Sequence, residues 1–350
     1  IFPMTTTPSS PASRRQTVTQ IVFFLLWGVA LLYPRSKQIA KYVFIDETFY
    51  IKHAARFYWA LANQEYEDTY MVVHPGVTVN WLGAGAFRLF FPELAEINDE
   101  PWIDEEKWFP DLRFRWALEN NDLSLILLLG YSRAFVAAAN VGLLLAAFLL
   151  ARRLVHPWAA LLGVLLIGFD PFYFDYSRFL HVDGLMSTFM LVSLLSFLVY
   201  LREGKRGYLL FSAAAGGLGI LTKVVAIVLL PIFGLIALIE WWRPERGRSP
   251  IFGEGRDWKG ILRIAGMVVL WLAVTAALMF LLLPAMWTRA GEILTEIAGF
   301  VFDQSGAEVI SPMYFNGQRN PTGVFGAAEY WNYYLISYLW RTTPVTLAGL

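Results

Sequence analysis

The sequence predicts an all-α protein that crosses a membrane several times. Three observations predict it. Hydrophobic residues make up 57% of the chain and charged residues 16%, against about 25% charged in a soluble domain. Mostly apolar runs of about 17–25 residues, the length that spans a bilayer, recur along the chain. Basic residues gather in alternate short loops, as the positive-inside rule requires.

The apolar runs give seven expected spans: Thr17–Tyr33, Ala134–Ala151, Pro157–Phe174, Gly184–Leu201, Gly207–Leu221, Val224–Trp241 and Ile261–Pro284. Val18 to Tyr33 has no small-x-small cleavage site, so it reads as a retained first span and not as a signal peptide. Gly207–Leu221 is short and carries Gly216, Gly217 and Gly219, which let helices approach closely. The chain starts at Ile1, and an eighth span starts near Thr343 and is cut off in the run Pro344 to Leu350. The expectation is therefore a fragment, its C-terminal part missing. The domain layout is a disordered cytoplasmic tail over 1–16, containing the Thr/Ser/Pro-rich stretch Thr5–Ser13, then a membrane domain over 17–350.

The run Gly76–Phe91 is ambiguous. With it left out and the N-terminus inside, the inner loops carry Arg14, Arg15, Arg152, Arg153, Arg202, Lys205, Arg206, Arg243, Arg246, Arg248, Arg256 and Lys259. The short outer loops then keep only Arg178 and Lys223. Counting it as a span turns every later loop over, so it is expected to lie along the outer surface as an amphipathic or re-entrant helix. Two large outer segments follow, 34–133 and 285–341, and they hold most of the acids. Chemistry is expected outside, at the cell membrane.

Several function classes drop out. Net charge is zero, which gives no electrostatic footprint for nucleic acid. There is no cysteine, hence no disulfide, thiolate metal site or cysteine nucleophile. Neither a Gly-rich nucleotide loop nor a dinucleotide fingerprint is present. His53, His74, His156 and His181 have no zinc-ligand spacing.

The residues that can carry chemistry sit in the outer segments. Asp46 and Glu47, in FIDETFY, follow the first span. Adjacent carboxylates near a membrane are exposed, paired or used; as chemistry they read as a general base or an acceptor-orienting pair. His74-Pro75-Gly76 makes a fixed turn, where His74 is a base, a phosphate donor or a plain interface residue. Arg178 and Asp183 stand in the short loop YSRFLHVD. Charges so near hydrocarbon are functional hypotheses by default, and a guanidinium suits phosphate; the alternative is a pair that snorkels and anchors helix ends. Lys223 lies between two apolar runs with almost no loop, so its partner is an acid on a neighbouring helix or a lipid phosphate. Arg341 is a second phosphate ligand or an anchor.

In order, these features resemble the protein O-mannosyltransferase family and its bacterial relatives, which include the aminoarabinose transferase of lipid A. The order is a first span, Asp46-Glu47, His74-Pro75, Ser177-Arg178 with Asp183, Lys223 in GLGILTK, and Tyr314-Phe315-Asn316-Gly317. Gly76 stands where the family has a second proline, and Asn316 departs from its Tyr-Phe-Leu-Gly segment. The resemblance runs from Asp46 to Leu350. It implies the C-type glycosyltransferase fold, with outer juxtamembrane helices in the first large loop. It also implies a polyprenyl-phosphate sugar donor and a protein, lipid or glycan acceptor. Asp46 matches the catalytic acid and Glu47 its neighbour; Arg178, Lys223 and Arg341 are donor-phosphate candidates; His74, Asp183 and Tyr314 are further site candidates. No cofactor is required by this pattern, although a divalent cation is compatible with it, and no metal ligands are assigned. The rival class is a transporter or lipid-handling protein without catalysis, which would more often show internal repeats or broken mid-membrane helices.

Overall fold

The structure is a computed structural model that describes residues 11–44, 46–72, 76–97, 112–243, 250–252, 258–304, 313–315, 318–320, 333–344 and 347. Side chains are described outside 11–23, 112–113, 116, 300–320, 333–334, 337 and 341. Helices make up almost all of it. They are α1 (Pro11–Ser36), α2 (Glu47–Asn63), α3 (Val77–Phe90), α4 (Leu112–Asn120), α5 (Leu125–Leu154), α6 (Pro157–Gly168), α7 (Pro171–Tyr176), α8 (Val182–Glu203), α9 (Arg206–Thr222), α10 (Leu229–Trp242), α11 (Trp258–Leu282), α12 (Met286–Gln304) and α13 (Tyr333–Arg341). A small antiparallel hairpin of β1 (Met313–Phe315) and β2 (Gln318–Asn320) is an addition to the expected all-α architecture.

Among the described residues four helical stretches are long and apolar enough to cross a membrane: Leu125–Leu154, Val182–Glu203, Val224–Trp242 and Trp258–Leu282. Large apolar side chains such as Leu235, Leu238, Val269 and Phe280 remain exposed on α10 and α11. A helix apolar on its outward face belongs in lipid. The chain is an integral membrane protein.

Helix boundaries differ from the expected spans where local chemistry intervenes. α1 starts at Pro11, ahead of Thr17. The expected single span Pro157–Phe174 is two helices. Pro171 disfavours helical backbone at the residue before it, and Asp170 Oδ1 accepts the N–H groups of Phe172 and Tyr173, each at 3.1 Å. So α6 stops at Gly168 and Asp170 caps α7. At 1.5 Å per residue α6 is about 18 Å long, short of the roughly 30 Å hydrocarbon core. Lys223 is extended (φ −155°, ψ 126°) and separates α9 from a tight helical turn at Val224–Val228 that leads into α10.

Four buried apolar clusters result among the described residues. α5 touches α1, α3, α6 and α8, and α9 packs between α8 and α11. The run Gly76–Phe91 becomes α3, at about 21 Å too short to span. It lies on α2, where a Cβ on Gly83 would come within 2.6 Å of the Ala54 Cβ. α2, α3 and α4 share one buried cluster with the starts of α5 and α8, including Phe57, Phe87, Phe114, Leu128 and Val182. These are the helices expected in the first large loop.

The glycines of α9 act as the sequence suggests. A Cβ on Gly216 would lie 2.0 Å from Trp271 Cζ2 and 2.9 Å from Ser193 Oγ. Trp271 is almost fully buried there. Gly216→Val is therefore expected to destabilise the bundle by about 1–3 kcal/mol through overpacking. Gly207→Ala, at a site with nothing within 4 Å, should be close to neutral. Unfolding of the two variants in detergent, followed by helix circular dichroism, checks this.

Candidate active site

The site begins with the doublet at the start of α2, whose two carboxylates point to different places. Glu47 is fully buried. Its Oε1 accepts from Arg133 Nε at 2.7 Å and from the Leu180 N–H at 2.9 Å. Its Oε2 accepts from the Phe44 N–H at 3.0 Å and from Arg133 Nη2. Arg133, from α5, also donates to the carbonyls of Ile39 and Tyr42. Its guanidinium lies 5.5 Å from the Tyr42 ring centre and 5.4 Å from that of Phe179. One ion pair therefore joins the loop after α1, the start of α2, the first third of α5 and the loop before α8. Both Glu47 oxygens are occupied, so no acceptor hydroxyl can reach it without displacing a partner.

Asp46 faces the other way. It precedes α2 without capping it by its side chain, and that side chain is 47% exposed. Its Oδ2 lies 3.4 Å from His181 Nε2. His181 is the residue before α8, and its Nδ1 accepts the Asp183 N–H at 3.1 Å. Asp183 Oδ2 is 3.8 Å from the same Nδ1, and Asp183 Oδ1 accepts from Lys223 Nζ at 2.8 Å. A row of alternating acid and base results: Asp46, His181, Asp183, Lys223. It draws on the starts of α2 and α8 and on the break after α9.

The imidazole is only 7% exposed. The rings of Tyr50 and Tyr176 meet it edge-on, with centres 5.1 and 5.2 Å away. Burial lowers its pKa from the ordinary value, opposed by the charges of Asp183 and Asp46. Burial also raises the Tyr50 pKa, and Asp183 and Asp46 add to that shift, so this phenol stays protonated.

Of the residues singled out in the sequence, Asp46, Asp183 and Lys223 come together. Lys223 takes the acidic partner on a neighbouring helix that was one of its two alternatives. Arg178 does not join them. Its Nε and Nη2 donate to Asp175 Oδ1 at 3.1 and 2.8 Å, its Nη1 to the Lys37 carbonyl at 3.2 Å, and its Nη2 to the Tyr42 hydroxyl at 2.8 Å. Asp175, one turn earlier, and Tyr42 hold the guanidinium. His74 lies outside the described residues. Tyr314 falls in β1 and Arg341 at the end of α13, and their side chains lie outside the described residues. Among the described residues no group of three or more His, Cys, Asp and Glu side chains is arranged to hold a metal ion.

Two residues of the site escaped the sequence reading. Arg133 stands at the expected edge of the first large outer segment and lies within α5, where a charge inside an apolar helix is itself a signal. His181 was weighed only as a zinc ligand, although a polar residue two before Asp183, at a helix start, is in position to cap.

Comparison with known proteins bears on this arrangement. Residues 131–252 match the family model of dolichyl-phosphate-mannose-protein mannosyltransferases. The matched segment, about a third of the chain, carries Arg133, Arg178, His181, Asp183 and Lys223. No curated protein is matched by the chain. The family match supports the resemblance drawn from the motifs and a membrane glycosyltransferase of the mannosyltransferase type.

Glu47→Gln is expected to cost about 3–5 kcal/mol, because it leaves Arg133 buried without its counter-charge. The double variant Glu47→Gln/Arg133→Met should recover part of that loss, and a double-mutant cycle on detergent unfolding measures it. The cap on α8 also has a pH signature. The folded-state pKa of His181 lies below its ordinary 6.5. The stability it contributes is full above 6.5 and is lost as pH falls through the folded value. Thermal midpoints measured from neutral to acid pH should fall less in His181→Asn, whose cap does not titrate.

Proposed function

We propose that this protein transfers a mannose-type sugar from a polyprenyl-phosphate donor to an acceptor hydroxyl at the extracytoplasmic face, with inversion at the anomeric carbon. The observation that carries this reading is the row itself. It has an exposed carboxylate at one end and an ammonium at the other. Lys223 uses one of its three N–H groups on Asp183, which leaves two for phosphate oxygens.

An apolar cavity of about 220 Å³ is lined among others by Thr78, Trp81, Leu82, Leu185, Phe189 and Leu218. Thr78 Oγ1 lies 2.6 Å from Thr222 Oγ1, and Thr222 precedes Lys223. A polyprenyl chain in this cavity would bring its phosphate to Lys223.

The reaction then follows from the charges. The donor's glycosidic C–O bond breaks with its electron pair on the phosphate oxygen, and Lys223 stabilises the charge that develops there. The acceptor oxygen attacks the anomeric carbon from the opposite side, and its proton passes to Asp46. Glu47 acts through position in this reading: it sets the turn that aims Asp46. Arg178, held by Asp175, supports the loop, and Arg341 remains a candidate second phosphate ligand. Acceptor class, which can be protein, lipid or glycan, is left open by these groups.

Asp46→Asn should lower transfer by about 10²–10⁴-fold, since the amide keeps the shape and cannot take the proton. Donor binding should persist. Lys223→Ala should instead raise the Michaelis constant for donor as well, because the phosphate is charged in both ground and transition states. Titration of polyprenyl-phosphate mannose in membranes carrying each variant separates the two classes. Near wild-type turnover in Asp46→Asn would remove Asp46 as the base.

A further inference from the structure

We propose that His181 is a positioning residue for Asp46: its Nδ1 is committed to the Asp183 backbone, so its Nε2 carries the proton and presents it to one oxygen of Asp46. This rests on reading Asp46 as the base.

The tautomer follows from the geometry. An imidazole nitrogen that accepts an N–H cannot itself carry a proton. Nδ1 accepts the Asp183 N–H at 3.1 Å, and this bond also caps α8. In the neutral ring the single proton therefore sits on Nε2. Nε2 lies 3.4 Å from Asp46 Oδ2, an ion-pair distance just beyond that of a formed N–H···O bond. Such contacts often tighten when substrate arrives. Burial favours the neutral ring.

The ring is also held against turning. Tyr50 of α2 and Tyr176 of α7 meet it edge-on, and Phe44 does the same from 6.4 Å. Asp183 is drawn toward Lys223 by its Oδ1 at 2.8 Å. The charged and titratable groups around the imidazole are thus Asp46, Tyr50, Tyr176, Asp183 and Lys223. Of these, Asp46 has an oxygen 3.4 Å from Nε2, and Asp183 has one 3.8 Å from Nδ1.

The consequence is a division of labour within one carboxylate. Oδ2 is oriented by the imidazole N–H, and Oδ1 is left to take the acceptor's proton. In the step, the acceptor O–H bond breaks, its proton goes to Asp46 Oδ1, and His181 keeps its own. The imidazole exchanges no proton and touches no substrate.

Two substitutions divide the two nitrogens of the ring. His181→Asn supplies a short side-chain oxygen that can still cap α8 and cannot reach Asp46. His181→Gln carries an amide N–H at greater reach. With the full chain in membranes, transfer is read as loss of mannose from radiolabelled polyprenyl-phosphate mannose. His181→Asn is expected to lower kcat by about 10²-fold, the scale of a misplaced reacting group. Its donor KM should stay within about twofold of wild type, and its unfolding midpoint near wild type at neutral pH. His181→Gln should recover part of kcat. A His181→Asn enzyme with wild-type kcat, beside an inactive Asp46→Asn, overturns the positioning role and leaves the base assignment standing. An active Asp46→Asn overturns the base assignment and the positioning role with it. A second measurement needs no variant. The ¹⁵N spectrum of histidine-labelled wild-type protein at neutral pH should show His181 protonated on Nε2 alone. A proton on Nδ1 overturns the proposal.

Discussion

The Glu47–Arg133 pair is the constraint on which the rest of the candidate site depends. Two charges removed from water lose several kcal/mol of hydration each, and their attraction offsets this only if every remaining donor and acceptor is satisfied. Four hydrogen bonds reach the carboxylate, and two backbone carbonyls take two more of the guanidinium's N–H groups. The partners come from segments far apart in sequence, at residues 39–44, 133 and 180. Because the pair is stable only when all of them are in place, it acts as a gauge for the loop geometry. Asp46, the next residue back, inherits its position from it. Two adjacent acids thus do unlike things. One is consumed by the fold, and the other is left half-exposed because the first has fixed the turn.

The loop before α8 is held from below as well. Arg35 at the end of α1 is fully buried and donates to Ser177 Oγ at 2.8 Å and to the Gly168 carbonyl at 2.6 Å. Asn140 donates to the Ser177 carbonyl at 3.1 Å and accepts from Thr188 at 2.7 Å. A Cβ on Gly184 would lie 2.2 Å from the Tyr176 carbonyl oxygen, so only glycine lets α8 begin this close to α7. Buried polar groups of this kind are costly if unsatisfied. Fully bonded, they give one loop conformation and not several. The arrangement of His181 over Asp46 is therefore set by the bundle beneath it as much as by contacts at the surface.

The sequence carried the architecture well and the side-chain partnerships poorly, for a physical reason. Span length is a sum over many residues, and it survives local error; α5, α8, α10 and α11 follow it. Breaks in helices depend on single residues. Asp170-Pro171 divides a run that apolar content alone would join, and only capping chemistry reveals it. Asp46, Asp183 and Lys223 could be picked out because charge near hydrocarbon is rare. What each would touch could not be read. Arg178 and Lys223 look alike as phosphate ligands in the sequence, and the structure gives the first Asp175 as its partner and the second Asp183. Glu47 and Asp46 were alike in sequence, and the difference between them is a partner 86 residues away.

The order of charges along the row has its own logic. A carboxylate hydrogen-bonded to an ammonium is held in its charged form and gives up much of its readiness to take a proton. Had Lys223 met Asp46 directly, the cation and the base would have weakened one another. Instead Lys223 meets Asp183, and a neutral imidazole stands between Asp183 and Asp46. In the proposed reaction the ammonium keeps two N–H groups for the donor phosphate, and the terminal carboxylate meets the imidazole. Asp183 has a second effect through its backbone: its N–H sets the tautomer of His181. One residue thus separates the cation from the base with its side chain and orients the group between them with its main chain. That double use explains why the imidazole sits immediately before α8, where a free N–H is available, and not within a helix, where that N–H would already be bonded.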